Sequence, residues 1–341
     1  MEATEGCELD MREGIAFAGS MVVDIIKFIS AYPKPQSLCS IINIQRAPGG
    51  LACNCAIDMA KLDSSIPVEI IGAIGNDEQG EFLLSEFSKF PSINTKGISK
   101  KGVTAYTDVM TEPDGGRTFF AYSGANMLLG PEDFHFTDIR ARILHIGYLL
   151  ILDRLDEKDD EYGTAMARVL AQAKANGMIT SIDVVSEESE RFTYIVPPAL
   201  KYADYCIINE TEAGQIARIP LRDGSGILEE HMPSCLMRLA EMGVSRWVVI
   251  HAPELSYGLD VQNGLIVRQE SWKIPPDFKK SSVGAGDAFA CGILHCAYHN
   301  EDLKTAINVA GAIAAYSLSG NGASDAIERL PVVMDRMRAM Q

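Results

Sequence analysis

The sequence predicts a doubly wound α/β fold: a mainly parallel sheet with helices on both faces, and a small accessory sheet beside it. Three observations carry this. From Ala141 onward, short apolar strand patterns alternate with helical ones, and alternation of that length implies parallel strands joined by crossover helices. Residues 14–23, Gly-Ile-Ala-Phe-Ala-Gly-Ser-Met-Val-Val, form a near-continuous apolar run, as a strand buried on both faces does. Residues 103–122 instead alternate on either side of a Glu112-Pro-Asp-Gly-Gly turn, which signals a hairpin inside an otherwise βα chain. A length of 341 residues and an apolar fraction of 47% suit one large domain with an accessory piece.

Met1 to Glu13 is an acidic extension without an apolar core, so it does not read as a signal peptide. The main domain is expected over 14–341. Within its first run Gly19 permits a close approach, and Asp24 ends the run. An Asp there is either a turn former or a carboxylate able to accept two neighbouring hydroxyls. Tyr32-Pro-Lys-Pro is a turn and Ile41–Ile44 a short strand pattern. Gly49-Gly50 precedes a helix with Ala52, Ala56, Met59 and Ala60 on one face, an arrangement common in ordinary turns. After the strand at 68–74, Gly75-Asn-Asp-Glu-Gln-Gly opens a helix with Leu83, Phe87 and Phe90 at i, i+4, i+7. Further strands are expected at 143–148, 178–182, 205–208 and 247–250. A helix carrying Met166, Val169, Leu170 and Ala173 stops at Gly177. Ligands of such sheets bind beyond the strands' C-terminal ends, where Asp24, Tyr148, Asp183, Asn209 and His251 fall. Residues 306–318 form an Ala-rich helix in which Gly311 suits close packing, and 323–340 a closing helix.

The stretch from Ser281 to His299 is a glycine turn opening directly into a helix. Gly284 and Gly286 allow backbone geometry that a side chain would obstruct, and Phe289, Ile293 and Cys296 recur at helical spacing. The free N–H groups and positive end of a helix suit a phosphate. Asp287 sits in the first turn. Two roles fit it: a residue chosen for the helix dipole, or a base beside an anion hole that takes a proton from a nucleophile.

Val283-Gly-Ala-Gly-Asp-Ala-Phe289 resembles the C-terminal signature of the ribokinase-like, or PfkB, carbohydrate kinases. Gly49-Gly50 with Asn54 and Ala56 resembles that family's N-terminal signature, so two motifs far apart match in the expected order, and the resemblance covers about 14 to 330. It implies an ATP-dependent kinase that phosphorylates a hydroxymethyl group of a sugar or sugar derivative. Asp287 would be the catalytic base, with Gly284, Ala285 and Gly286 cradling the transferring phosphate. Asp24, Gly49, Gly50, Asn54 and Tyr148 would meet the acceptor. Asn209 and Glu212, three apart at a helix start, share a face and resemble the family's phosphate and magnesium motif; contact through water is expected, since Mg²⁺ keeps several waters. His251, Gly258 and Asn308 would border the nucleotide. The segments 25–48 and 100–123 would form a lid over the sugar and a homodimer surface; a plain surface hairpin is the other reading of 103–122.

Some positions depart from the family. Ser281-Ser282 stands where many members carry Asp-Thr, so a monovalent cation is a further cofactor that the resemblance leaves open. Val22 stands where ribokinases carry Asn, against ribose itself. His251-Ala-Pro-Glu-Leu-Ser-Tyr-Gly258 replaces the usual Thr-x-Gly-x-x-Gly nucleotide loop. A nucleoside kinase of the same family, and a sugar-binding relative without catalysis, are the alternative readings.

The formal charge of −16 repels nucleic acid and anionic membrane, and no apolar run approaches the ~18 residues of a membrane span. The eight cysteines show neither CxxC nor zinc spacing, which points to a reducing, cytoplasmic setting. His295 and His299 lie i, i+4 on a helix but lack an HExxH glutamate, and so read as packing residues. No Walker motif occurs, and the first strand lacks G-x-G-x-x-G.

Overall fold

Successive residues of the first strand, Ile15–Gly19, enter two different cores. Ala16 and Ala18 belong to one, Ile15 and Phe17 to the other. A pleated strand turns alternate side chains to opposite faces, so a strand covered on both sides needs apolar residues throughout. The same division runs through Tyr205–Asn209 and Trp247–His251: Cys206, Ile208, Val248 and Ile250 face the first core, and Tyr205, Ile207, Trp247 and Val249 the second. Helices Ala165–Ala175, Phe192–Leu200, Glu210–Ala217 and Met232–Glu241 cover the first core. Helices Leu51–Leu62, Ala285–Tyr298, Leu303–Ser317 and Leu330–Ala339 cover the second. These coordinates are a computed structural model that describes residues 12–187 and 189–341; most of the acidic extension lies outside the described residues.

The central sheet has nine strands, in the order 265–270, 255–260, 247–251, 205–209, 179–184, 143–149, 15–19, 68–74, 93–100. Seven run parallel, from Trp247–His251 to Ile93–Lys100. The last two at the other edge, Leu255–Asp260 and Leu265–Glu270, are antiparallel. This is the doubly wound sheet that the sequence predicts, with one addition. The stretch after His251 is not a long loop: Ala252 to Glu254 turn the chain, and it returns as a strand with Gly258 opposite Val249. Gly258 therefore lies inside the sheet, where a Cβ would come 2.5 Å from Ile307.

The first apolar run also divides. After Gly19 the chain passes through Ser20 and Met21 and leaves the central sheet as Val22–Ile29. That strand joins a separate four-stranded sheet in the order 41–49, 22–29, 106–111, 117–122. Asp24 thus does not end a strand; it sits inside one, on the lid side of the crossing. Buried Asn126 pins the crossing, donating from Nδ2 to the Met21 carbonyl and accepting the Met21 N–H on Oδ1, both at 3.1 Å. Asp77 does similar work at the other lid connection. It caps the helix Glu78–Phe87 through Gly80 N–H (2.9 Å) and accepts both the N–H and the hydroxyl of Thr104.

The closest helix approach in the second core occurs at Gly292, where a Cβ would meet Ala310 Cα at 2.5 Å. Gly311, expected to serve that purpose, instead faces Trp272 and a cavity. No described helix is long and apolar enough to cross a membrane.

Candidate active site

The glycine turn folds as its residues require. Gly284 caps the helix Ala285–Tyr298 at φ 78°, and a Cβ there would lie 2.6 Å from that of Ala323. Only glycine meets both conditions without strain. The first N–H to bond back into the helix is that of Ala288, to the Gly284 carbonyl at 2.9 Å. The N–H groups of Gly286 and Asp287 come before that bond and have no intrahelical acceptor. Gly284→Ala is expected to destabilise the fold by about 1–3 kcal/mol and to raise KM for ATP; an unchanged melting temperature and KM would contradict this account.

Asp287 is 4% exposed. Its Oδ2 accepts from Asn54 Nδ2 at 2.8 Å, and its Oδ1 accepts from the Tyr148 hydroxyl at 2.7 Å. Burial pushes its pKa up, and the bonds from Asn54 and Tyr148 oppose the shift. Tyr148, half-buried and beside that carboxylate, is held protonated as a donor. Asn54 comes from the first turns of Leu51–Leu62, whose cap Gly50 has φ 81° and passes so close to Ser20 that a Cβ would meet its carbonyl oxygen at 2.5 Å. The Asn54 Oδ1 is buried and has no partner.

Asp24 enters from the lid. A Cβ on Gly49 would lie 2.6 Å from Asp24 Oδ2, so this glycine leaves the carboxylate uncovered. Burial raises the Asp24 pKa to about 6, against the pull of a Thr107 hydrogen bond and the Arg117 charge. Arg117, on an edge strand of the small sheet, also reaches back towards the glycine turn, donating to Ser281 Oγ at 3.4 Å and to the Asn321 carbonyl at 3.1 Å.

A cavity of about 540 Å³ adjoins the turn, lined among others by Ala285, Gly286, Phe289, Trp272, Ala314 and Leu318. His251 belongs to its wall, with its ring 4.8 Å from that of Phe289. Burial lowers the His251 pKa to about 4, so the imidazole is neutral. Two residues expected there lie elsewhere. Gly258 is in the sheet, packed on the helix Leu303–Ser317. Asn308 borders a smaller pocket of about 290 Å³, and its carbonyl accepts from Trp272 Nε1 at 3.0 Å. Ser282 lines the main cavity too, as do Trp272 and Lys279, which fall in an irregular stretch with no periodicity to mark them.

Asn209 lines the same cavity and caps the helix Glu210–Ala217. Its Oδ1 accepts from the N–H groups of Thr211 and Glu212, and the Glu212 carboxylate bonds back to Asn209 N–H at 2.9 Å, a closed capping box. Glu212 is not a surface residue; it is 4% exposed. Its pKa is raised by burial, while Asp183 is pushed up by burial and by the charges of Glu212 and Asp287. A folded state that holds such protons gains stability at low pH and loses it as pH rises.

A slot lined by Ala285 and Gly286, with a buried carboxylate at that same turn, is an arrangement that suits phosphoryl transfer. Residues 12–330 match the pfkB family carbohydrate kinase model, and the chain belongs to that family of ATP-dependent kinases. It is 25% identical over 340 residues to fructokinase-2 of Zea mays, covering 93% of this chain and 92% of that one. It is 23% identical to a deoxyribokinase of Salmonella typhi (90% and 93% covered) and 23% identical to an ATP-dependent ribose-1-phosphate kinase of Halopiger xanaduensis (91% and 93%). Among solved structures, Arabidopsis thaliana ribokinase with ribose and ATP superposes with a TM-score of 0.78 at 21% identity, over 96% of this chain and 99% of that one. Thermotoga maritima ribokinase gives 0.76 at 19% identity, over 96% and 99%.

Proposed function

We propose that this kinase transfers the γ-phosphoryl group of ATP to a hydroxymethyl group of a sugar or sugar derivative, with Asp287 as the base. The observation that carries this reading is the position of Asp287: a buried carboxylate in the first turn of a helix whose opening residues, Ala285 and Gly286, line a cavity of about 540 Å³. Asp287 takes the hydroxyl proton as that oxygen bonds to the γ-phosphorus, and the bond to the β–γ bridging oxygen breaks to release ADP. The turn at Gly284, Ala285 and Gly286 receives charge on the phosphoryl oxygens, and such positioning supplies most of phosphoryl-transfer catalysis. Asp24 accepts from two acceptor hydroxyls, Gly49 and Gly50 leave the backbone open to them, and the unpartnered Asn54 Oδ1 takes a third. Tyr148 holds Asp287 in place.

Mg²⁺ fits the Asn209–Glu212 corner through water. Both Glu212 oxygens are already engaged, by Ser186 Oγ and Asn209 Nδ2 on one side and Asn209 N–H on the other, so direct ligation is disfavoured. The mutual repulsion of Asp183, Glu212 and Asp287 would be relieved by a nearby divalent ion, which when bound neutralises phosphate charge. Glu212→Gln is expected to raise the Mg²⁺ concentration for half-maximal rate by about tenfold or more; an unchanged Mg²⁺ titration would remove Glu212 from that role. A monovalent-cation requirement is tested in the same assay with K⁺ withdrawn.

A sugar carrying an anionic group is the second reading. Arg117 is close enough to Asp24 to lower its pKa, and a guanidinium at that place would pair with a carboxylate or phosphate. The small sheet also leaves Ile42 69% exposed, with Ile41 and Ile44 about half exposed on the same edge strand and Phe119 and Phe120 about half exposed on the opposite edge strand. Exposed apolar edges of this kind suit a homodimer through the lid, in a cytoplasmic enzyme.

The test is ADP release from Mg·ATP against free sugars, sugar acids, sugar phosphates and nucleosides. Fructose, ribose, deoxyribose and ribose 1-phosphate belong in the panel because relatives are named for them. A strong acceptor whose signal is lost in Asp287→Asn bears the proposal out. Silence across the panel with ATP binding intact would move weight to a binding role.

A further inference from the structure

We infer that Asp63, His295 and His299 form a zinc-type metal site at the far end of the helix that carries Asp287. The sequence shows only the histidine pair, and without a third ligand nearby the pair reads as packing. The fold supplies the third ligand from 232 residues away. Asp63 Oδ2 lies 3.4 Å from His295 Nε2 and 3.4 Å from His299 Nε2. The three donor atoms all lie within 4.8 Å of one another, and the imidazole centroids are 4.6 Å apart.

The two spacings to Asp63 match a metal. With bonds of about 2.0–2.2 Å, tetrahedral ligand atoms around zinc sit about 3.3–3.5 Å apart. Two imidazoles and one carboxylate favour Zn²⁺ over Mg²⁺, which takes oxygen donors in octahedral geometry. Three protein ligands leave the fourth position to water.

The surroundings suit a cation. Asp63 is the C-cap of Leu51–Leu62, and His299 is the C-cap of Ala285–Tyr298, so two negative helix ends converge on the cluster. The other Asp63 oxygen, Oδ1, accepts from Ser65 N–H at 3.0 Å and Ser65 Oγ at 2.6 Å. These bonds orient the carboxylate and leave Oδ2 for the ion, as partners of a metal ligand do. His295 Nδ1 is buried without an acceptor, so the affinity is expected to fall about 10–100-fold below that of a fully supported site.

The two bridged helices are those whose opening turns supply Asn54 and Asp287, and eight residues of helix put His295 about 12 Å from the base. The ion is therefore a staple between helix ends, separate from the phosphate site.

The experiment titrates Zn²⁺ and Co²⁺ into the full chain in excess Mg²⁺, reading calorimetry, Co²⁺ ligand-field spectra and melting temperature. His299→Ala and Asp63→Asn are compared; His299 is 42% exposed, so its loss leaves the core untouched. Expected are one strong site per chain, a Co²⁺ spectrum without thiolate bands, a melting temperature raised by Zn²⁺, and an affinity at least about tenfold weaker in both variants. No binding by the wild type would overturn the inference. So would thiolate bands, which would place the metal on cysteine, or equal affinity and stoichiometry in the two variants.

Discussion

Asp287→Asn is expected to lower kcat by about 10²–10⁴, the usual contribution of a general base, and to leave the fold intact. The substitution keeps the shape of the side chain. Tyr148 can still donate to its oxygen, Asn54 can turn its amide so that the unpartnered Oδ1 accepts from the new NH2, and removing a buried charge relieves a desolvation cost, so the melting temperature should hold or rise. ATP affinity should change little, because the backbone at Gly284 to Gly286 is untouched. The measurements are ADP release under saturating acceptor, ATP binding by calorimetry, and thermal unfolding. Turnover within a few-fold of the wild type would remove Asp287 from the role of base. A loss accompanied by collapse of the melting temperature would assign it to structure instead. The pH profile carries a separate check: burial raises the Asp287 pKa, so kcat should fall as pH drops through a value above the ordinary carboxylate range.

Asp24→Ala should cost about 10²–10⁴ in kcat/KM for the acceptor. Two charge-assisted hydrogen bonds, each about 1.5–3 kcal/mol, sum to a factor of that order at 1.4 kcal/mol per tenfold. KM for ATP should stay near its wild-type value, since Asp24 belongs to the lid. The sign of the pH effect follows from the raised pKa of about 6. Acceptor hydroxyls donate to the ionised form, so the acceptor KM should rise as pH falls below about 6, and Asp24→Asn should flatten that dependence. In the free enzyme the same group acts on stability in the opposite direction. The folded state keeps a proton that the unfolded chain releases, so its contribution declines as pH rises from about 4 towards 6. An acceptor KM independent of pH in the wild type would count against Asp24 as the hydroxyl acceptor.

Much of this was legible because the key residues are tied to local backbone rules. Gly284 and Gly50 must be glycine for reasons of φ and of contact, and a glycine followed by a helical pattern is visible in any sequence. Six of the seven parallel strands were legible too, since burial on both faces leaves them mostly apolar; Ile93–Lys100, half exposed at the sheet edge and carrying Asn94, Thr95, Lys96 and Ser99, has no such run and was missed. What failed had no local signature. The crossing from central sheet to lid falls inside one unbroken apolar run, and its pin, Asn126, is more than 100 residues away. The antiparallel strand through Gly258 is short and follows a Pro-containing turn, so its pairing is set by the sheet edge. Trp272 reaches the cavity through tertiary packing alone. Asp63 approaches His295 and His299 only because two helix ends happen to meet.

The lid holds Asp24 and Arg117, while the body holds Asn54, Tyr148 and Asp287. A compound that touches both halves must be long enough to span them, and only such a compound gains by drawing them together. Water cannot do this. On the proposed reading, the division of the acceptor's contacts between two sheets would act as a guard against futile ATP hydrolysis: the γ-phosphate would meet a well-placed hydroxyl only when that hydroxyl arrives on a molecule with enough groups to bridge both sheets.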